Sequence, residues 1–169
     1  NNILTDFFTT GTYDARREFY KTNAPAMDIL VSSNLERLVW FMVNGDSEKV
    51  NKYMEELKET GVYKVDDETL ARVQKEFKAG CLGEEDVLKV IHDCWNENKY
   101  LLDTHTAVGY GVYEEYVKNT GDTTKTILLS TASPYKFPES VYQALTGEEV
   151  DVYTAIEKLH DLTGMEISY

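Results

Sequence analysis

Apolar residues recur at helical spacing along most of this chain, and this periodicity constrains its fold more than any other feature. The clearest case is the segment 33–43, whose apolar residues follow the i, i+3, i+4, i+7 pattern: Leu35, Leu38, Val39 and Met42. Similar patterns and end signals predict further helices at about 46–61, 67–78, 84–97, 104–118, 138–146 and 151–162. The sequence therefore predicts a helix-rich fold, in which residues 46–97 form an excursion of charged amphipathic helices.

Few segments read as strands. The best candidate is Lys125–Ser130, which contains the apolar run Ile127-Leu128-Leu129 and is followed by a loop and a helix. This succession over 127–145 is typical of part of an α/β sheet. Residues 9–26 read as a loop, and Val62-Tyr63-Lys64-Val65 reads as a short extended connector.

Composition narrows the classes of partner. The chain has 169 residues, enough for one domain with its own core, and a net charge of −13. That charge argues against a nucleic-acid or anionic-membrane surface. No segment approaches the roughly 18 apolar residues of a membrane span. Cys81 and Cys94 lack metal-ligand spacing, which favours two buried thiols in a reducing cytoplasm.

Both ends of the sequence look cut. Asn1 and Asn2 run straight into an apolar cluster over Ile3–Phe8, and "GMEISY" closes the chain without a polar tail. We therefore expect a piece of a longer protein, with Ile3–Phe8 and residues 127–129 exposed and favouring self-association.

Hydroxyl side chains follow the predicted strand directly. Ser130 and Thr131 would lie at its carboxyl end, the edge of an open α/β sheet where ligands bind. A hydroxyl there can bond a heteroaromatic nitrogen or an anion, although it can equally satisfy backbone groups in a turn.

Three other polar residues are candidates for binding an anion. Lys136 follows Pro134 in a constrained loop and can offer its ammonium to a phosphate, or it can be an ordinary solvated lysine. His105 and Thr106 fall in the first turn of the helix that Asp103 can cap, a position that attracts anions. His105 could equally bond a carbonyl group.

The spacing of His92 and Cys94 does not indicate a metal site. His92 and Cys94 have i, i+2 spacing on a predicted helix, which directs them to different faces.

Four stretches, taken together and in this order, resemble the bacterial and fungal branch of threonine synthase. They are "NNILTDFFTTGTYD" at 1–14, "PAMDILVSSNLERLVWF" at 25–41, "YLLDTHTAVGYGVYEEY" at 100–116 and "STASPYKFPESV" at 130–141. The resemblance covers essentially residues 1–169, as the C-terminal portion of such an enzyme. It implies an α/β fold: the helix-rich C-terminal part, with few strands, of a fold type II enzyme that uses pyridoxal 5'-phosphate.

The resemblance also implies a reaction and roles for particular residues. Threonine synthase converts O-phosphohomoserine and water to threonine and phosphate. In that family a hydroxyl faces the pyridine nitrogen of the cofactor, a role that falls here to Thr131, with Ser130 as the second choice. Substrate contacts would come from a further set: Lys136, His105, Thr106, Ser33 and Asn34.

Two family elements do not occur in this sequence. These are the Schiff-base lysine in a Ser-Phe-Lys-Asp type motif and the glycine-rich phosphate loop. We therefore expect the chain alone to be inactive. The competing interpretations are a stand-alone α-rich interaction module without catalysis and a related lyase such as threonine dehydratase.

Overall fold

The computed structural model describes residues 2–167, and within them it is rich in helix. Eight α-helices and two short strands are present, with single 3-10 turns at Pro25–Met27 and Pro134–Lys136. The helices are α1 (Ile3–Thr10), α2 (Ser33–Met42), α3 (Ser47–Thr60), α4 (Asp67–Glu76), α5 (Glu84–Asn98), α6 (Thr104–Thr120), α7 (Pro138–Thr146) and α8 (Val152–Thr163). The prediction of a helix-rich chain with few strands is confirmed.

The chain divides into two compact units. The first comprises the residues up to Lys21 together with Met27–Cys81, and the second comprises Thr22–Ala26 together with the residues from Leu82 onward. The predicted excursion at 46–97 contains α3 and α4 of the first unit and α5 of the second. That it is an excursion within a larger fold stays a prediction.

The first unit is organised around a pair of short strands. Strand β1 (Thr12–Asp14) pairs antiparallel with β2 (Val62–Lys64), and Tyr13 lies opposite Tyr63. The rings of Tyr13 and Tyr53 both stack on Tyr63, each with a centroid distance of 5.5 Å. The loop predicted over 9–26 is therefore wrong at β1, whose partner is distant in sequence.

Helix α1 packs its apolar face into this unit. Ile3 and Phe7 are completely buried, and the Phe7 ring contacts the rings of Phe8, Tyr13 and Tyr63. The expectation that the Ile3–Phe8 cluster is exposed is therefore wrong, because the two strands supply the surface that covers it.

Helix α4 begins at a well-defined cap. The Asp66 side chain accepts hydrogen bonds from the backbone N–H and the hydroxyl of Thr69, and it lies 2.5 Å from the Lys49 ammonium of α3. The Lys49 ammonium, followed by the Thr69 amide, holds the pKa of Asp66 well below its usual range. In contrast, α2 begins without a side-chain cap.

The second unit is an all-helical assembly in which α5 packs on α6 and α7, and α7 packs on α8. Its hydrophobic core is formed by the buried residues Val87, Ile91, Cys94, Leu101, Leu102, Ala107, Tyr135, Val141, Tyr142, Ala155 and Leu159. The prediction that Cys94 is buried is confirmed, whereas Cys81 is exposed.

Gly111 permits the close approach of α5 to α6. A Cβ atom there would lie 2.5 Å from Leu82 Cδ1 and 3.0 Å from Val90 Cγ2. At Gly109 a Cβ atom would make only an ordinary contact with Leu128. The close packing of the two helices therefore requires the absence of a side chain at Gly111 but not at Gly109.

The segment Lys125–Ser130 is not a strand. None of the backbone hydrogen bonds between described residues involves it, and the side chains of Ile127 and Leu129 are 85% and 76% exposed. A strand is stabilised by pairing with a neighbour, and an apolar run alone does not provide one. The prediction that the apolar side chains of residues 127 and 129 are exposed is confirmed.

Candidate functional site

The N-terminus of α6 is held by a buried aspartate. Asp103 is 1% exposed, and its Oδ1 accepts hydrogen bonds from the backbone N–H of His105 at 2.8 Å and of Thr106 at 3.2 Å. Its Oδ2 accepts a hydrogen bond from the Thr106 hydroxyl. Because a helix N-terminus leaves amide donors unpaired, this carboxylate fixes the backbone and the Thr106 side chain together. The predicted cap is confirmed.

His105 extends from the same turn and is almost enclosed. Its side chain is 9% exposed, and its ring lies against Phe137 with a centroid distance of 4.6 Å. Nε2 accepts a hydrogen bond from the Ala26 backbone N–H at 2.8 Å. His105 therefore joins α6 to the segment Thr22–Ala26 and to the residue before α7, all within the second unit.

Thr106 meets the end of the extended segment. Its Oγ1 lies 3.4 Å from Ser130 Oγ, so the polar end of 125–130 reaches the first turn of α6. The two hydroxyls share the wall of an open pocket of about 470 Å³, whose other lining residues are Cys94, Asn98, Tyr100, Leu102, Tyr110 and Leu128.

This pocket is mostly apolar, and the pKa values of two of its lining groups are raised. Burial raises the pKa of the Cys94 thiol. Burial, with Glu114 as a further cause, raises the pKa of the Tyr110 hydroxyl. Such a lining suits a flat or apolar group with a few hydroxyl contacts better than a free anion.

Thr131 and Lys136 are exposed on the same stretch of chain. The Thr131 side chain makes no hydrogen bond with any other residue in 2–167. The Lys136 ammonium lies 5.6 Å from the centre of the Phe137 ring and forms no ion pair with another described residue. Between them, Ser133 accepts a hydrogen bond from the Tyr135 N–H, which caps the turn Pro134–Lys136.

Ser33 and Asn34 lie in the first unit, at the start of α2, and both are exposed. The Asn34 side-chain oxygen accepts a hydrogen bond from Arg37. The second unit therefore brings together Thr106 and Ser130, and both His105 and Lys136 contact the Phe137 ring. The roles of Ser33 and Asn34 stay predictions.

The described residues contain no group of three or more His, Cys, Asp or Glu side chains arranged to hold a metal ion. His92 is exposed on α5 and Cys94 is buried, so the predicted divergence of these two side chains is confirmed. None of the helices within 2–167 is long and apolar enough to cross a membrane.

The sequence of this chain is similar to those of threonine synthases and threonine synthase-like proteins. Residues 106–167, which include Thr106, Ser130, Thr131 and Lys136, match the family described as "Threonine synthase, C-terminal". The threonine synthase of Saccharomyces cerevisiae is 37% identical over 161 residues, which cover 87% of the chain and 31% of that protein. The human threonine synthase-like 1 is 32% identical over 173 residues, which cover 95% of the chain and 23% of that protein.

Solved structures agree with the sequences. The PLP-bound threonine synthase from Brucella melitensis matches with a TM-score of 0.77 and 31% identity, covering 99% of the chain and 34% of that structure. The yeast threonine synthase matches with a TM-score of 0.80 and 30% identity, covering 97% of the chain and 41% of that structure. This chain is homologous to the C-terminal portion of threonine synthases. It spans less than half of the length of each of these matched proteins.

Several contacts at this site could not be predicted from the sequence. No role was predicted for the Ala26 amide, the Phe137 ring or the pocket side chains of Asn98 and Tyr100. Each meets the site through a tertiary contact, which spacing along the chain does not reveal. Asp103 could be found, because a cap is a local feature.

Proposed function

We propose that this chain supplies one wall of a threonine synthase active site. In the complete protein, that site would convert O-phosphohomoserine and water to threonine and phosphate. The observation that supports the proposal is that two neighbouring hydroxyl side chains differ in their hydrogen-bond partners. Ser130 lies against Thr106, whereas Thr131 is exposed and has no partner among the described residues.

The hydroxyls of Ser130 and Thr131 differ in their hydrogen-bond partners. Thr106 has one hydroxyl proton, and the Asp103 carboxylate beside it can only accept. The hydroxyl oxygens of Thr106 and Ser130 lie 3.4 Å apart, so the Ser130 hydroxyl already has a hydrogen-bond partner. A pyridine nitrogen that lacks a proton needs a donor, and Thr131 retains its proton for that purpose. The geometry favours Thr131 over Ser130 as the cofactor contact.

The residues of this chain can contact the ring nitrogen of pyridoxal 5'-phosphate. Thr131 can donate to the ring nitrogen without holding it protonated, as an aspartate would, so electron withdrawal is moderated. When bound, the cofactor supplies the electron sink for carbanions next to the amino-acid carbon. This chain's own residues contribute orientation of the ring and contacts to the substrate.

Lys136 is the proposed contact for the anionic group of the substrate. Its ammonium is exposed and has no carboxylate partner among residues 2–167, although the chain carries 30 acidic residues. A cation without an ion pair in so acidic a chain is available to a phosphate. Thr106 would contribute its hydroxyl to the pocket wall, and Ser33 and Asn34 are proposed as further substrate contacts.

The chain alone is proposed to be inactive, because the lysine and phosphate-loop motifs of the family do not occur in it. A cytoplasmic location and a small-molecule substrate follow from the same proposal. The alternative, an interaction module without catalysis, makes the opposite prediction for Thr131. Its substitution would then have no effect on cofactor or substrate.

Thr131→Val is expected to lower the kcat of phosphate release about tenfold, the effect of losing one hydrogen bond of ordinary strength. The measurement uses a hybrid in which this chain replaces the corresponding C-terminal part of yeast threonine synthase. Thr131→Ser should retain most of the activity, and the absorbance of bound cofactor confirms that each variant is folded. Full activity of Thr131→Val together with a large loss in Ser130→Ala would assign the role to Ser130 instead.

Self-association of the isolated chain stays a prediction and gains support from the exposure of Ile127 and Leu129. The apolar, uncharged run has unpaired backbone groups, which is a template for pairing with another chain. Leu129→Glu is expected to restore the monomer, because a charge on each copy opposes pairing. Sedimentation velocity over a range of concentrations measures this, and a wild-type monomer at high concentration would refute it.

A further inference from the structure

His105 is held by contacts on three sides. Nε2 faces the Ala26 N–H at 2.8 Å. Nδ1 lies 3.3 Å from Thr104 Oγ1 and 3.4 Å from Asp103 Oδ1. The ring face packs on Phe137. With a side chain that is 9% exposed, the imidazole has little freedom to turn.

These contacts select one protonation form. A backbone amide can only donate, so Nε2 must carry the lone pair that accepts from Ala26. In the neutral ring the proton then resides on Nδ1, where the Thr104 hydroxyl and the Asp103 carboxylate can accept it. A charged imidazolium would place an N–H on Nε2 against the Ala26 N–H, which would lose this hydrogen bond.

The segment that carries Ala26 is itself fixed in the second unit. Ala24 is buried, and its N–H donates to the Thr22 hydroxyl oxygen at 3.2 Å. The Asn23 N–H donates to Glu84 Oε1 at the start of α5. The Ala26 amide is therefore a positioned donor rather than an incidental neighbour of His105.

We propose that the Ala26 amide and Asp103 hold His105 as the neutral Nδ1–H tautomer, and that His105 acts as a positioning residue. It places the Phe137 ring, over which the Lys136 ammonium lies at 5.6 Å. The nitrogen that a substrate contact would require is already used by Ala26. His105 thus acts through Phe137 on Lys136, whose contact with the substrate's anionic group rests on the proposed function.

Nitrogen-15 NMR of the imidazole rings in this 169-residue chain tests the tautomer directly. His105 is expected to show a protonated Nδ1 and an unprotonated Nε2, as a single slowly exchanging form. Assignment uses the signals that disappear in His105→Gln, or triple-resonance experiments on the wild-type chain. A protonated Nε2, or an average of the two tautomers, would overturn the proposal.

Two further readouts test the positioning role. The Ala26 amide is expected to exchange with solvent about tenfold faster in His105→Ala. His105→Gln, whose side-chain oxygen can still accept, should retain part of this protection. The Lys136 methylene resonances should lose their ring-current shift in His105→Ala and keep it in the exposed control His92→Gln.

Unchanged Lys136 resonances in a folded His105→Ala variant would refute the positioning role. All of these measurements are made without cofactor or substrate. An inactive hybrid would therefore count against the proposed function and leave the tautomer result standing. An averaged His105 ring would overturn only the present inference.

Discussion

Asp103→Ala is expected to lower the free energy of unfolding of the second unit by about 3 kcal/mol. The substitution leaves the amides of His105 and Thr106 without their acceptor and removes the Asp103 partner of the Thr106 hydroxyl, at a position where the replaced carboxylate is buried. Each chemical group buried without a partner carries its own desolvation cost. Denaturant unfolding followed by the fluorescence of Trp95 measures the effect, in a Trp40→Phe background so that only the second unit reports.

The chain contains a matched control for this prediction at the start of α8. Asp151 accepts hydrogen bonds from the amides of Tyr153 and Thr154 and from the Thr154 hydroxyl, the same arrangement as at Asp103, but it is exposed. Water can replace its lost bonds, so Asp151→Ala should destabilise the unit clearly less. Equal losses in the two variants would show that burial of Asp103 contributes nothing.

Phe7→Ala is expected to destabilise the first unit by about 4 kcal/mol. The ring is completely buried and contacts three other aromatic rings, so its removal leaves a cavity between α1 and the strand pair. Unfolding followed by Trp40 fluorescence in a Trp95→Phe background measures it.

Phe19, in the same unit and 48% exposed, provides the control for Phe7. Phe19→Ala should change the free energy of unfolding little, because its ring is already largely in water. A similarly small effect of Phe7→Ala would contradict the burial of α1 and favour the sequence expectation that Ile3–Phe8 forms an exposed patch.

The helices could be predicted from the sequence because their signals are local. Apolar spacing marks the buried face, and residues such as Asp103 and Gly61 mark the ends within a few positions of each boundary. The extended backbone of β2 could also be predicted, but β1 and the pairing of the two strands could not. Tyr13 and Tyr63 pair across a long stretch of chain, whereas the apolar run at 127–129 has the composition of a strand and no pairing partner among the described residues.

In the candidate site, too, the local features could be predicted and the tertiary contacts could not. His105 and Thr106 could be assigned to the first turn of a capped helix, because both the cap and the turn are contiguous in sequence. The acceptor state of His105 depends on Ala26, and the hydrogen bonding of Ser130 depends on Thr106. Both are tertiary contacts. The difference in hydrogen bonding between Ser130 and Thr131 therefore could not be predicted from the sequence.

The central claim is that this chain carries one wall of a site that the rest of a threonine synthase completes. Phosphate release from O-phosphohomoserine, measured in parallel for the isolated chain and for the hybrid with yeast threonine synthase, tests this claim most directly. We expect no release by the isolated chain with added pyridoxal 5'-phosphate, and release by the hybrid. Release by the isolated chain, or none by a hybrid that binds the cofactor, would contradict the claim.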